Sequence, residues 1–179
     1  MNKVAKFEKV SYNEFEKAVT EFHNQERHGI AGFNFTYLPE LYDEIKLPKR
    51  STKSSAGYDF YNNMWKDLEI GPGETLKIPT GVRCKMDEDW VLMAFPRSGL
   101  GFKYRLQLDN TVGIVDADYY YSDNEGHIFL KITNDSKFKK ICKIEKGKAF
   151  AQGIFLPYGI TEDDDATGIR NGGFGSTDK

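Results

Sequence analysis

Seven short runs of β-forming residues follow one another between Tyr58 and Leu156. They are Tyr58 to Tyr61, Thr75 to Ile78, Trp90 to Phe95, Leu106 to Leu108, Val112 to Val115, Ile128 to Thr133 and Ala149 to Leu156. Turn chemistry punctuates them at Gly71-Pro72-Gly73, Thr80-Gly81 and Asn124-Glu125-Gly126. Many short strands joined by such turns point to an all-β sandwich, jelly roll or barrel. The chain has 179 residues, 39% hydrophobic and 29% charged, which suffices for one such domain with a real core.

The first quarter is organised differently. Ser11-Tyr12-Asn13-Glu14 reads as a capping box, with the serine as N-cap and the glutamate three residues on. Tyr12, Phe15, Val19 and Phe22 then recur at helical spacing, and Gly29 is placed to cap the far end, so the pattern predicts an amphipathic helix from Ser11 to His28. Beyond it, Phe33, Phe35 and Tyr37 alternate with Asn34 and Thr36, a strand signal. Residues 46 to 55 form a basic connector containing Pro48 and several serines. Near the end, Glu162-Asp163-Asp164-Asp165 reads as a solvated acidic linker. The expected organisation is therefore an N-terminal extension over 1–45 with one helix and a strand, a β domain over 46–161, and a linker with a glycine-rich arm over 162–179.

A net charge of −2 gives no support for broad nucleic-acid binding, and no apolar run reaches the length of a membrane span. Cys84 and Cys142 stand far apart, outside any Cys-x-x-Cys pattern, and read as free thiols of a reducing compartment. These features predict a cytoplasmic protein with no nucleic-acid or membrane partner. His23, His28 and His127 are scattered, with His127 expected on a strand, and none is assigned as a metal ligand or base.

The chemistry concentrates in a few stretches. In Val112 to Tyr121 an apolar, β-branched run ends abruptly in Asp116 and Asp118, followed by three tyrosines. A buried strand anchors its own end, so a carboxylate placed there is held rigidly where the chain leaves the core, as an acid or base requires. Pro96-Arg97-Ser98-Gly99 follows another apolar strand and directs a forked cation, a hydroxyl and an approachable backbone at one place, a combination suited to phosphate. Gly172-Gly173-Phe174-Gly175-Ser176-Thr177, with Arg170 just before it, suits wrapping an anion with backbone N–H groups. There is no Gly-x-Ser-x-Gly elbow, no Gly-x-x-x-x-Gly-Lys loop and no His-Glu-x-x-His.

Together, Ala56-Gly57-Tyr58-Asp59, Pro96-Arg97-Ser98-Gly99, Gly113-Ile114-Val115-Asp116-Ala117-Asp118-Tyr119, Gly147-Lys148-Ala149-Phe150-Ala151-Gln152 and Gly173-Phe174-Gly175-Ser176-Thr177 resemble the five ordered motifs of trimeric dUTP pyrophosphatases (dUTPases). The resemblance spans Leu47 to Thr177. It implies an all-β, dUTPase-like jelly-roll or β-clip protomer with a short N-terminal helical extension, assembled as a homotrimer with shared active sites. It further implies hydrolysis of dUTP to dUMP and pyrophosphate. Asp116 matches the family's carboxylate that orients and deprotonates the attacking water. Tyr119 matches the ring that packs under deoxyribose and leaves no room for a 2′-hydroxyl. Asn110 and the backbone around Gly113 match the hairpin that reads uracil. Arg97, Ser98, Gly99 and Gln152 match phosphate contacts. Asp59 matches a carboxylate near the waters of a Mg²⁺ ion that the substrate phosphates themselves carry, with no direct protein ligand. Arg170, Phe174, Gly175, Ser176 and Thr177 match the C-terminal arm, whose Phe stacks on the base while the Arg and hydroxyls hold distal phosphates.

The departures are specific. Ala149 stands where the family usually has arginine, so that contact is absent or supplied by Lys148. The spacing from Arg170 to Phe174 is one residue shorter than the commonest one. Tyr120 to Glu125 is inserted after Tyr119, and the helix from Ser11 to His28 lies outside the resemblance. Two rivals share the fold. A dCTP deaminase, or a bifunctional deaminase and dUTPase, needs a glutamate base for which Glu125 is the nearby candidate. A non-catalytic nucleotide-sensing or protein-binding member needs no base at all.

Overall fold

In the computed structural model, which describes residues 2–25, 34–137, 139–170 and 172, the chain is built mainly from antiparallel strands. In chain order these are Ala5–Lys9 (β1), Lys49–Arg50 (β2), Tyr58–Tyr61 (β3), Leu68–Ile70 (β4), Thr75–Pro79 (β5), Val82–Met86 (β6), Trp90–Pro96 (β7), Leu106–Leu108 (β8), Gly113–Val115 (β9), Phe129–Asn134 (β10), Cys142–Ile144 (β11) and Ala149–Pro157 (β12). Helices Tyr12–Gln25 (α1), Leu38–Asp43 (α2) and Ser98–Tyr104 (α3) complete the chain. The largest sheet has the order β2-β3-β12-β7-β9; a second has the order β5-β10-β8, and β1-β6 and β11-β4 form two-stranded ladders. The expected all-β, jelly-roll-type protomer with a helical N-terminal extension is what forms.

Each of the seven expected runs is a strand, within a residue or so at its ends. Their alternation decides which side faces in. Leu92 and Ala94 of β7, Leu130 and Ile132 of β10, and Phe150 are all 3% exposed or less and meet in one core. Each large side chain so buried contributes about 1.5–3 kcal/mol. Five strands carried too little signal to stand out, among them β2, only two residues long within the basic connector. β4 and β11 are three-residue alternations, and β1 and β6 alternate charged with apolar residues because each lies at the surface with only one face covered.

Helix α1 forms where the spacing placed it, and Phe15, Val19 and Phe22 lie in the same core as the β strands. The end expected at His28, with its Gly29 cap, lies outside the described residues. The capping box is only half formed. Ser11 Oγ accepts from the Glu14 N–H at 3.2 Å, but Glu14 does not reach back. The Ser11 N–H donates instead to Glu125, and Glu14 turns to His127.

The strand expected through Phe33, Phe35 and Tyr37 does not form; Phe33 itself lies outside the described residues. Phe35–Tyr37 is a 3-10 turn leading into α2. Asn34 Oδ1 accepts from the Thr36 N–H at 3.1 Å and from its hydroxyl at 2.8 Å, and such local bonding offers the backbone an alternative to a ladder. Tyr37 is 62% exposed, so no sheet face was available to reward the alternation. Lys9 Nζ then donates to the carbonyls of Tyr42 and Asp43, closing the C-terminal end of α2 with a cation. In the connector after α2, Arg50 is held by the carbonyls of Lys53 and Ser55, in keeping with a structural loop. Cys84 and Cys142 are free and buried, and burial pushes their thiols up to about 12 and about 11. No helix among the described residues is long and apolar enough to cross a membrane.

Candidate active site

Strand β12 lies between β3 and β7, and this brings three distant motifs together. Gln152 stands opposite Asp59 on one side and opposite Phe95 on the other. Arg97, just past the end of β7, places Nε 3.2 Å from Asp59 Oδ1. The Ser51 hydroxyl donates to Asp59 Oδ2 at 2.7 Å, a supporting contact that no sequence signal marked. Arg97 is half-exposed and anchored through its own N–H to the Phe150 carbonyl. The chain then turns into α3, so Ser98 and Gly99 occupy a first helical turn, where N–H groups have no partner within the helix. The result is a surface cluster of one guanidinium, one amide and open backbone donors, with Asp59 holding the guanidinium in place. Ala149 begins β12 beside Tyr61, and Lys148 before it is exposed.

On the other side of β7, the turn between β8 and β9 carries Asn110 and leads into Gly113, the first residue of β9. Both line a cleft of about 210 Å³ whose walls are apolar, from Ala94, Leu108, Val115 and Ile128, with Lys77, Asp109 and Lys131 at its rim. Thr111 adopts a φ of 67°, a conformation that costs a β-branched residue on the order of 1–3 kcal/mol, and the turn is held in it by bonds on both sides. The Thr111 N–H donates to the Leu108 carbonyl and the Val112 N–H to that of Asn110. Burial pushes the Asp109 carboxyl up, but bonds from Lys131 and Thr133 outweigh it and leave the group below its ordinary value.

Asp116 leaves β9 with extended backbone and opens the 3-10 turn Ala117–Tyr121. Its carboxylate is half-exposed, and Arg170 Nη2 lies 2.6 Å from Oδ2. Arg170 Nε lies 2.9 Å from Asp118 Oδ1, close enough for attraction but not aligned as a hydrogen bond. The same guanidinium stands 5.9 Å from the centre of the Tyr119 ring. Asp118, which the sequence offered only as a neighbour of Asp116, thus becomes half of a carboxylate pair that seats the arm's arginine. Tyr119 is 1% exposed. Its hydroxyl donates to the His127 carbonyl at 2.7 Å and accepts from Asn124 Nδ2 at 2.9 Å, and burial pushes its pKa above the ordinary value.

The insert from Tyr120 to Glu125 completes this turn. Gly126 returns the chain at a φ of 72°, and a Cβ there would lie 2.6 Å from the Tyr120 Cα, so only glycine fits. Glu125 spends one carboxylate oxygen on the Ser11 N–H and the other on the Ser11 hydroxyl. It is therefore engaged in capping α1, which argues against its serving as a deaminase base. His127 sits just before β10 rather than on it and is wholly buried. Phe174, Gly175, Ser176 and Thr177 lie outside the described residues.

The sites on the two sides of β7 do not face one another. Val115 pairs with Leu92, so Asp116 emerges at one end of β7, while Arg97 leaves the other end, five residues past Leu92 and about 16 Å along the strand.

The dUTPase family model matches residues 43–178. The deoxyuridine 5'-triphosphate nucleotidohydrolase of Lactococcus lactis subsp. lactis is 41% identical over 136 residues, covering 74% of this chain and 88% of that protein. Its counterpart in Escherichia coli K12 is 35% identical over 143 residues, covering 76% and 90%. The crystal structure of dUTPase from Streptococcus mutans aligns with a TM-score of 0.57 at 38% identity, over 65% of this chain and 88% of that one. A Staphylococcus bacteriophage 80alpha dUTPase with dUPNHPP shares the fold over 95% of this chain and 92% of its own, with a TM-score of 0.59 at 19% identity. A family match over most of the chain, together with relatives above one third identity along most of their length, means that this chain belongs to the dUTPase family.

Proposed function

We propose that the protein hydrolyses dUTP to dUMP and pyrophosphate, with water attacking the α-phosphorus. The observation that carries this reading is the position of Asp116, rigidly anchored immediately after the last residue of β9, the strand whose start lines the Asn110–Gly113 cleft. The apolar cleft suits a planar base, and Asn110 with the exposed backbone of the turn suits reading its polar edge. Tyr119 forms the floor against which deoxyribose packs. Asp116 takes a proton from the attacking water, the new P–O bond forms at the α-phosphorus, and the bond to the bridging oxygen breaks as pyrophosphate leaves. Arg97, Gln152 and the N–H groups of Ser98 and Gly99 hold the phosphates, and Arg170 with the arm residues Phe174, Gly175, Ser176 and Thr177 closes over base and distal phosphates.

A Mg²⁺ ion fits these residues as one carried by the triphosphate. Asp59 has one oxygen toward Arg97 and the other toward Ser51, which leaves lone pairs suited to metal-bound waters rather than to direct ligation. When bound, the ion neutralises phosphate charge; orienting the substrate and moving the proton fall to the protein groups.

The 16 Å offset along β7 supports a homotrimer. Asp116 and Arg97 of one chain leave β7 at opposite ends, whereas a site between copies can combine one chain's Asp116 with another's Arg97. A cytoplasmic setting suits the two buried free thiols. The test is turnover over a panel of nucleotides, dUTP, dCTP, UTP and dTTP, with Mg²⁺. The reading expects pyrophosphate from dUTP and no ammonia from dCTP. Ammonia release would instead establish a deaminase, and tight dUTP binding without turnover a sensing protein.

A further inference from the structure

The two parts of the chain that depart from the family pattern, the N-terminal helix and the insert after Tyr119, are bound to each other. Glu125 accepts from the Ser11 N–H at 2.7 Å and from the Ser11 hydroxyl at 2.6 Å. It does so from left-handed backbone, with a φ of 57°, a conformation that surrounding bonds must hold. Two residues later, His127 Nε2 accepts from the Gly81 N–H at 2.9 Å. That bond assigns the imidazole proton to Nδ1, which faces Glu14 Oε1 at 3.1 Å. The Tyr120 hydroxyl donates to Glu8 of β1 at 2.7 Å, and the Arg83 guanidinium lies 4.5 Å from the centre of its ring. The extension thus grips the chain at residues 120, 125 and 127.

Tyr119 is held from within that grip. Its hydroxyl donates to the carbonyl of His127, the residue that Glu14 orients. Asn124, adjacent to Glu125, donates to the same hydroxyl, and the Ser122 hydroxyl donates to the Tyr119 carbonyl. Every one of these partners lies in the segment that the N-terminal helix fixes.

We propose that Glu14 and Glu125 are positioning residues for Tyr119, through which the N-terminal helix sets the discrimination between deoxyribo- and ribonucleotides. This rests on the reading of Tyr119 as the sugar-facing ring. Excluding a 2′-hydroxyl is a steric task. A ring able to retreat by about 1 Å makes room for the extra oxygen, and positional errors of that size are amplified strongly in rate. Glu14 sits on α1 and Glu125 on the far side of the turn, so both act through the backbone that carries Tyr119 and not by contact with the nucleotide.

The experiment compares kcat and KM for dUTP and UTP in the full-length protein and in Glu14→Ala, Glu14→Gln, Glu125→Ala, Tyr119→Ala and Val19→Ala. Glu14→Ala and Glu125→Ala should each lower the dUTP/UTP ratio of kcat/KM by roughly tenfold, chiefly through a lower KM for UTP. Glu14→Gln keeps an oxygen acceptor for the imidazole N–H and should keep the wild-type ratio. Val19→Ala, which loosens the same helix in the core without touching the grip, should lower the melting temperature and leave the ratio alone. A wild-type ratio in folded Glu14→Ala and Glu125→Ala, beside a lost ratio in Tyr119→Ala, overturns the proposal while leaving the sugar-facing role of Tyr119 intact. A ratio lost equally in Val19→Ala overturns it in favour of general loosening. Should Tyr119→Ala itself keep the ratio, the reading of Tyr119 falls and the proposal with it. If Glu14→Ala does not fold, Glu125→Ala, changed near the surface, decides alone.

Discussion

Gly113→Ala should disable the protein while leaving it folded, and the reason is a single methyl. In the β7–β9 ladder Gly113 stands opposite Ala94. A Cβ at Gly113 would lie 3.1 Å from the Ala94 Cβ, with the next atoms at 3.9 Å. Non-bonded carbons rest at about 3.5–4.0 Å, so the shortfall is about 0.5 Å. Ala94 is 1% exposed and its methyl is fixed to the backbone, so no rotamer change relieves the contact. The strands must part, and β9 is the edge strand of the sheet, free to move outward. Overpacking of this kind costs about 1–3 kcal/mol, and each kcal/mol lowers Tm by roughly 2–4 °C for a chain of this size. The functional loss should be larger, because β9 carries Gly113 at one end and leads into Asp116 at the other. A shift of this order should cut kcat/KM for dUTP by about 10²-fold. Ala94→Gly removes the opposing methyl and by itself should cost only about 0.5–1 kcal/mol of stability. The double variant should therefore regain most of the lost kcat/KM, to within about threefold of Ala94→Gly alone, a coupling that two independent substitutions would not show. Wild-type kcat/KM in Gly113→Ala, or no recovery in the double variant, refutes the reasoning.

Asp116→Asn should bind dUTP with near-normal affinity and lose ~10²–10⁴-fold in turnover; near wild-type turnover removes Asp116 from the role of base. Deleting residues 172–179 should cut turnover sharply while leaving the nucleotide-free melting transition unchanged, and a truncated protein with full activity would deny the arm any part in the site. Acid should destabilise the fold through His127. Burial pushes its pKa below the ordinary value, outweighing the opposite pull of Glu14 and Glu125, with Lys77 adding to the lowering. Between that depressed value and about 6.5 the unfolded chain therefore binds more protons than the folded one. The contribution is fully present above about pH 6.5 and is lost as pH falls through the folded value. Melting temperatures at about pH 7.5 and about pH 5.5 should differ by more in the wild type than in His127→Gln; equal differences assign the acid sensitivity to other groups.

The strands that carry the site were legible because their signal is local. Alternation in Trp90 to Phe95 and the β-branched run before Asp116 depend only on neighbours a few residues away, and a strand's two faces follow from its period. The helix was legible for the same reason, through Phe15, Val19 and Phe22 on one face. Where the local signal was cheap to satisfy in another way, it misled: Asn34 bonded its own backbone, and a short alternation became a 3-10 turn. The partners of the polar groups were decided only by tertiary structure. Glu14 stands at the capping position, yet it turns to a histidine 113 residues away, and Glu125, 114 residues from Ser11, takes its place at the helix end. A carboxylate at a helix terminus is satisfied by whichever donor the fold brings within hydrogen-bond distance, and sequence spacing records nothing of donors delivered by a different strand. The same holds for the pairing of Arg97 with Asp59 through β12, and for the seating of Arg170 on Asp116 and Asp118. Residue types and periods determine the strands and the kinds of group at their ends; only the order of strands in the sheet determines which of those groups can meet.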